Sequence, residues 1–462
     1  MATPIRVDYD TPFLLPPSLE DWMAKDDPVR FVREFVEALD LPALGFQRQD
    51  CLDGRPPFSN ALLLKIWLWG YYCKIRSVRA LEGACRQQIQ MMWLCGLHAP
   101  DHNTLWRFWS ANQQALRAVF KQSVMLALDM KLVSLALQAI DGTKIEAASS
   151  GHSGWSKERM EQLLEALEQC LKETEKQIQQ QEAQAKPEVK LPESLTEKNK
   201  LKAAVEQGLK QLQEDGRRYY HRHEPQARRM KCSGRNRFGY NAQAVVDGKK
   251  GIVTAAEVST QETDTGLLKP MLDAAKENTG QTAQGHVADS GYGAAADLAQ
   301  AKAAGYEVTA PVVEGSSRKQ EAFHTTKFIY NRQEHSVSCP QNRVLRFERD
   351  RLRHGKRLVH VFRCRHQDCP VRGQCSDDPK GRMVEISVHY EVVQEQKRKL
   401  SQPEYQARLR RRSGIVEPVF AWIKQLLGFR RWTVRGLEKV KTQWALLCLT
   451  VNLMKLYAAR ST

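Results

Sequence analysis

The stretch GYNAQAVVDGKKGIVTAAEVST, residues 239–260, decides the fold class of this 462-residue chain. Two runs rich in Val, Ala and Thr flank the turn DGKKG, and this pattern is a strong signal for an antiparallel β-hairpin. Before it, the mostly apolar run KLVSLALQAIDGTKIEAAS, from Lys131, predicts a buried strand that ends at Asp141 and Gly142. The chain is therefore expected to be built around a β-sheet.

Further elements of this sheet follow the hairpin. A helix is predicted from Asp264 to Lys276, and GHVADSGYG, from Gly285, predicts a short strand that ends at Asp289 before a Gly-rich turn. An Ala-rich helix and the strand YEVTAPVV, from Tyr306, complete the series. The order strand, hairpin, helix, strand, helix, strand is that of a mixed α/β sheet with part of its pairing antiparallel.

Helical segments precede and interrupt this predicted sheet. In the N-terminal part, APDHNTLWRFW leads, through a cap expected at Asn103 or Thr104, into a basic helix. A short turn before a basic helix suits a helix-turn-helix DNA-binding module, but most helical hairpins share that pattern. A later charged, Gln-rich segment has leucines at heptad-like spacing, and Pro187 and Pro192 divide it, which predicts an antiparallel helical hairpin.

These signals divide the chain into six parts. They are a helical N-terminal DNA-binding domain, the first part of the sheet, a coiled-coil-like helical insertion, the rest of the sheet, a Cys-rich insertion and C-terminal helices, at residues 1–130, 131–155, 156–216, 217–311, 312–393 and 394–462.

Composition indicates the kind of partner. The chain has 70 Lys and Arg against 53 Asp and Glu, a formal net charge of +17, which favours phosphate-rich or other acidic partners. No apolar run reaches the ~20 residues that span a bilayer, so no membrane association is expected. The N-terminus lacks the basic-then-apolar order of a signal peptide, and the expected location is the cytoplasm.

Three acidic residues are the candidates for catalysis. Asp141 and Asp289 follow predicted strands, and strand ends of α/β sheets gather where ligands bind. Glu417 stands alone in a strongly basic segment, and Pro418 predicts that a helix starts beside it, because proline is tolerated in a first helical turn. Each acid alone is more often a turn former or a charge-balancing residue. Together they supply the carboxylates that two Mg²⁺ or Mn²⁺ ions about 4 Å apart need for phosphoryl transfer.

The same acids carry a family resemblance. AIDGTKIEAAS, HVADSGYG and GIVEPVFAWIKQLLGFRRW resemble the DDE triad of insertion-sequence transposases, closest to the branch named for insertion sequence number eleven-eighty-two. TPFLLPPSLEDWMAKDDPVRFVREFVEALDL and EPQARRMKCSGRNRFGYNAQAVVD also resemble that branch. The resemblance implies an RNase H-like core that cuts and joins DNA at transposon ends with Mg²⁺. Because two ends must be held together, a homodimer or larger assembly on DNA is expected.

The resemblance also implies roles for single residues. Asp141, Asp289 and Glu417 would hold the metal, and Lys424, seven residues after Glu417, would touch the DNA end. Related families carry an arginine four residues before the glutamate, where this chain has Ser413 directly after Arg412, so that role has moved or is missing. The remaining expected DNA contacts are Arg412, Arg228, Arg229, Lys231 and Arg107.

Four cysteines form a separate candidate site. Cys339, Cys364, Cys369 and Cys375 lie in one short stretch beside turn-forming and charged residues, which suits a structural Zn²⁺ site. Their spacing is looser than that of paired CxxC knuckles, and His366 could replace one thiol. Reduced thiols without a metal are the alternative, and a disulfide is not expected in a cytosolic chain.

Two other functions remain open from the sequence. One is a catalytically inactive DNA-binding regulator descended from a transposase, which predicts the loss of at least one acid, although all three are present. The other is an RNase H-like nuclease, which would share the three acids but would not need the helical N-terminal part.

Overall fold

The computed structural model describes residues 18–47, 57–182, 193–312, 321–353 and 357–460. Its strands, in chain order, are β1 Gln138–Glu146, β2 Gly154–Ser156, β3 Tyr219–His221, β4 Arg228–Cys232, β5 Arg235–Asp247, β6 Val253–Ser259, β7 His286–Ala288, β8 Val308–Thr309, β9 Ile329–Asn331, β10 Ser336–Ser338, β11 Val344–Arg353, β12 Arg357–Arg363 and β13 Met383–Ser387.

Six of the α-helices in the described residues precede β1, and the others lie between or after the strands. The helices are α1 Pro28–Glu37, α2 Asn60–Tyr72, α3 Val78–Gln87, α4 Ile89–Leu94, α5 His102–Ala111, α6 Gln113–Asp129, α7 Lys157–Glu182, α8 Glu193–Glu214, α9 Leu268–Thr279, α10 Ala295–Ala303, α11 Arg372–Cys375, α12 Tyr390–Ser401, α13 Pro403–Ala421 and α14 Leu437–Arg460. No helix in the described ranges is long and apolar enough to cross a membrane.

A mixed six-stranded sheet lies at the centre of the fold. Its strand order is β4-β5-β1-β7-β8, and β6 pairs with the second half of β5. β1 is antiparallel to β5 but parallel to β7, and β7 is parallel to β8. The predicted hairpin is thus confirmed as β5 and β6, and the mixed α/β sheet is confirmed with it.

Helices cover both faces of this sheet. Ala139 and Val287 point to one face, into a large hydrophobic cluster with α6, α13 and α14, and this cluster continues into α1 to α5. Ile140 and Ala288, the next residues, point to the other face and pack with α9 and α10. Because side chains alternate along a strand, Asp141 and Asp289 lie on the same face as Ala139 and Val287, which is the face that α13 covers.

Two long helices, α7 and α8, lie in the chain between β1 and β5. Lys202 pairs with Glu168 and Lys198 bonds to the Cys170 thiol, so α7 and α8 run antiparallel, with a small apolar cluster between them. Pro187 and Pro192, on which the hairpin prediction depended, lie outside the described residues.

The segment expected to be a Cys-rich insertion contains a second sheet. Its five strands follow the order β13-β12-β11-β10-β9, all antiparallel, around a core that includes Phe328, Leu345 and Phe362. The sequence interpretation placed no sheet here. The arginines of β11 and β12 interrupt the alternation of apolar and polar residues that would have predicted these strands.

Three local predictions are wrong. β1 continues past Asp141 to Glu146, so Asp141 lies within the strand rather than at its end. The helix that carries Glu417 begins at Pro403, and Pro418 lies inside it. Burial of the next turn, Val419 and Phe420, offsets the cost of an internal proline, about 3 kcal/mol. The N-terminal cap of α5 is Asp101, whose carboxylate accepts the Thr104 N–H at 2.6 Å.

Candidate active site

Asp141 and Asp289 lie side by side on adjacent strands. Parallel β1 and β7 pair Ile140 with Ala288, and each aspartate is the next residue in its chain. Each carboxylate accepts one nearby backbone N–H, Asp141 from Gly142 within β1 at 2.7 Å and Asp289 from Gly291 in the following turn at 2.8 Å. The sheet register therefore brings together two acids that are far apart in sequence.

A third carboxylate, Asp264 in the loop before α9, lies close to Asp289. Its Oδ1 accepts the side-chain amides of Asn241 at 2.7 Å and Gln243 at 2.8 Å, both from β5. A side chain built on Gly291 would lie 3.0 Å from Asp264 Oδ2 and 2.9 Å from Asp289 Oδ1. The two carboxylates thus converge on one glycine.

The negative charges of all three acids affect the pKa of the buried residue Tyr292. Its hydroxyl donates to Gln243 Oε1. Burial, followed by the charges of Asp264, Asp141 and Asp289, raises the pKa of Tyr292 well above its usual value. The phenol therefore stays protonated and acts as a donor beneath the acidic cluster.

Two basic side chains of the C-terminal region face Asp141. Arg412 Nη1 on α13 contacts Asp141 Oδ2 at 2.7 Å, and both side chains are less than one-fifth exposed. Lys424, in the π-helical turn Trp422–Leu426 after α13, is half-buried, and burial lowers its pKa although Cys232 and Asp141 oppose that effect. Burial raises the pKa of Asp141, and the charge of Arg412 is the largest effect that lowers it.

Glu417 is on α13, between Arg412 and Lys424 in the chain. Its side chain is exposed, whereas Ile415, Val416 and Val419 form the buried side of the helix. Across the described ranges, no three His, Cys, Asp or Glu side chains are close enough together to hold a metal ion. The structure therefore brings Asp141 and Asp289 together but does not place Glu417 with them in the geometry of a metal site.

The four cysteines collect at one end of the second sheet. Cys339 Sγ accepts the backbone N–H groups of Gln341 at 3.4 Å and Arg343 at 3.3 Å. Burial raises the pKa of Cys375, and the charges of Cys364, Cys339 and Cys369 add to that increase. All four are free thiols.

The other predicted DNA contacts lie in different surroundings. Arg228 is half-buried and pairs with Asp215 at 3.5 Å, whereas Arg229 and Lys231 on the same strand are exposed. Arg107 is exposed on α5 and lines a 560 Å³ cavity with Arg86 and Asp101.

Comparison with known families gives two matches. A model described as a transposase DDE domain matches residues 338–457, and a model described as a transposase domain matches residues 17–111. Both matches support a DDE-type insertion-sequence transposase. No curated protein matches the chain.

Of the two matches, only the DDE-domain match reaches the candidate active site. The DDE-domain match includes Glu417 and Lys424, but Asp141, Asp264 and Asp289 lie between the two matched ranges. The identification of the two aspartates therefore depends on the sheet register and the local sequence.

Sequence reasoning missed Asp264. It stands in the loop QETDTG, where an aspartate before a helix is expected as a turn or cap residue. The one available signal was the polar pair Asn241 and Gln243 within an otherwise mostly apolar run, YNAQAVV. Buried amides need partners, and Asp264 is the partner that the fold supplies.

Proposed function

We propose that this chain is a transposase that binds the terminal inverted repeats of an insertion sequence and catalyses Mg²⁺-dependent strand cleavage and strand transfer. The observation that supports this most is the adjacency of Asp141 and Asp289 on two parallel strands, beneath the basic helix α13. We further propose that the chain belongs to the branch named for insertion sequence number eleven-eighty-two.

The strand order supports an RNase H-like core. Along the path β6-β5-β1-β7-β8, β5 is antiparallel to both β6 and β1, and β7 and β8 are both parallel to β1. The long helical insertion separates β1 from β5 without interrupting their pairing.

The donor set fits a hard divalent cation. Asp141 and Asp289 would hold it, and Glu417 would join them from α13. Such an ion would activate the attacking hydroxyl or water and neutralise the charge on the phosphate. Arg412 would have to leave Asp141 for this, and Lys424 would remain beside the cluster to contact the DNA end.

Charge and topology support the proposed partner and assembly. A net charge of +17 favours double-stranded DNA. A transposase must hold two transposon ends together, and we expect a homodimer or larger on DNA, in the cytoplasm.

A structural Zn²⁺ ion at Cys339, Cys364, Cys369 and Cys375 is a second part of the proposal. The backbone N–H groups directed at Cys339 Sγ, and the mutual field of the four thiols, support it. The thiols would have to move closer together to reach tetrahedral spacing. Zinc content of the purified protein, compared with Cys364→Ser, tests this, because an equal and negligible content in both proteins contradicts it.

Cleavage of a labelled DNA end tests the main proposal. The wild type should cut it in Mg²⁺ but not in EDTA, and Asp289→Asn should bind the same DNA without cutting it. Asp350→Asn, which neutralises an exposed acid on β11, is the matched control and should cut as the wild type does.

The alternatives predict different results. An inactive regulator would bind the end and leave it intact in every variant. An RNase H-like nuclease would cut DNA that lacks the terminal repeat at the same rate. Either result would overturn the transposase proposal.

A further inference from the structure

A second polar cavity lies at the C-terminal end of β1, beside Glu146. Its volume is about 540 Å³, and we name it the arginine pocket after four of its lining residues, Arg159, Arg229, Arg237 and Arg431. The one acidic lining residue is Glu146, so the lining has four positive charges and one negative charge, a net +3. A pocket of this charge selects a ligand that carries several negative charges.

The loop after β1 lines the arginine pocket, and several hydrogen bonds hold this loop in place. Glu224 Oε1 accepts the Ser149 N–H at 2.6 Å, and His221 Nε2 lies 3.0 Å from the Ser150 carbonyl oxygen. Arg431 donates to the carbonyls of residues 147, 148 and 149, each at 3.0 Å. Every backbone carbonyl from 147 to 150 is thereby engaged, which leaves the side chains to face the cavity.

One of these side chains has an unused polar group. Ser149 lines the pocket and is only 4% exposed, and its hydroxyl has no hydrogen-bond partner in the described part of the chain. A buried hydroxyl without a partner costs about 1–3 kcal/mol. Rotation of the Ser149 side chain toward the cavity would allow a ligand oxygen to supply the missing bond.

Three arginines at the pocket mouth are available to a ligand. Arg159, Arg229 and Arg237 are exposed, and none of them pairs with an acidic residue within the described ranges. Arg229 stacks on the Tyr219 ring, with its guanidinium carbon 4.3 Å from the ring centre, which fixes its orientation. Neighbouring Arg228 differs, because its charge is already matched by Asp215.

We propose that the arginine pocket holds backbone phosphates of the DNA that this protein cuts. The inference rests on the proposed function and specifies part of its DNA contact. From Asp141 to Glu146, β1 advances five residues, or about 17 Å at 3.3 Å per residue. For DNA whose helix axis runs along β1, at 3.4 Å per base pair, the held phosphates lie about five base pairs from the cut bond.

Binding of a DNA end to Asp289→Asn protein, which does not cut, tests the pocket separately from cleavage. In that background, Arg159→Ala with Arg237→Ala should reduce the slope of log K against log salt by about 2, one for each lost phosphate contact. Arg346→Ala with Arg349→Ala removes the same charge from exposed positions on β11 and should leave the slope nearly unchanged. Circular dichroism and thermal unfolding should show that both double variants are folded.

Single methylphosphonate substitutions in the DNA then locate the contact. One or two positions about five base pairs from the cut should weaken binding of the Asp289→Asn protein several-fold, yet have no further effect on the protein that also lacks both pocket arginines. That loss of effect is the coupling expected of groups in direct contact. If every position weakens both proteins equally, or if the salt slope does not change, the pocket does not hold DNA.

The two proposals fail in distinguishable ways. If wild type cuts the DNA end and Asp289→Asn does not, but the pocket variants bind with unchanged slope, the pocket assignment is wrong and the proposed function stands. If wild type neither binds nor cuts the end, both are wrong.

Discussion

Substitution of Gly142 by alanine should slow DNA cleavage about a hundredfold without weakening DNA binding. A methyl group at Gly142 would overlap the Gln243 side-chain amide and lie 3.0 Å from both Asn241 Oδ1 and Asp264 Oδ1. Gln243 is 1% exposed and bonds to Asn241, Asp264 and Tyr292, so it has no free direction in which to retreat.

The magnitude follows from the size of this overlap. Ordinary contact, at 3.4–4 Å, requires the Gln243 amide or the Gly142 backbone to shift by more than 1 Å. A displacement of about 1 Å at a catalytic group can cost a hundredfold in rate, or about 2.7 kcal/mol. Asp141 takes up the displacement directly, because its carboxylate accepts the Gly142 N–H.

Single-turnover cleavage of a labelled DNA end, with the dissociation constant measured in parallel, provides the assay. Gly83→Ala is the matched control, because a methyl group there meets nothing within 4 Å. A folded Gly142→Ala protein that cuts at the wild-type rate, or one whose DNA affinity falls as much as its rate, would refute the reasoning.

Three further predictions concern charge near the site and in the core. Asp264→Ala should reduce the cleavage rate at least tenfold, whereas Asp264→Asn should retain most of the rate because it keeps an acceptor for Asn241 and Gln243. The exposed variant Glu262→Ala is the control. Equal rates for the two Asp264 variants would contradict this role. Arg412→Gln removes the charge that lowers the pKa of Asp141, so the acidic limb of the pH–rate profile should move to higher pH, whereas Arg411→Gln should not move it. Burial lowers the pKa of Lys455 to about 8 from 10.5. Between these values the unfolded chain binds more protons, so the free energy of unfolding should rise with pH by up to about 3 kcal/mol across that window, and Lys455→Met should abolish the rise in denaturant titrations.

Local patterns predicted the sheet well because its strands are marked by local chemistry. DGKKG separates β5 from β6, and Asp289 ends β7 by accepting the Gly291 N–H. The same local reasoning failed at Asp141, where Gly142 suggested a turn. Gly142 is within the strand because the packed amides opposite it leave no room for a side chain.

The remaining features depend on contacts between distant parts of the chain. Asp264 acquires its role only because β5 presents two amides to it. Pro418 looks like a helix start until burial of Ile415, Val416 and Val419 against the sheet extends the helix back to Pro403. The arginine pocket draws on residues from Glu146 to Arg431, and local periodicity contains no information about that convergence.

The most direct test of the central claim is the binding of Mn²⁺ to the protein and DNA end, measured by electron paramagnetic resonance beside cleavage of the same DNA. Asp141→Asn, Asp289→Asn and Glu417→Gln should each lose bound Mn²⁺ and cleavage together, whereas Asp350→Asn should keep both. If Asp289→Asn cleaves the DNA at the wild-type rate, or if Asp141→Asn and Asp289→Asn bind as much Mn²⁺ as the wild type, these aspartates are not the metal-holding centre of a transposase.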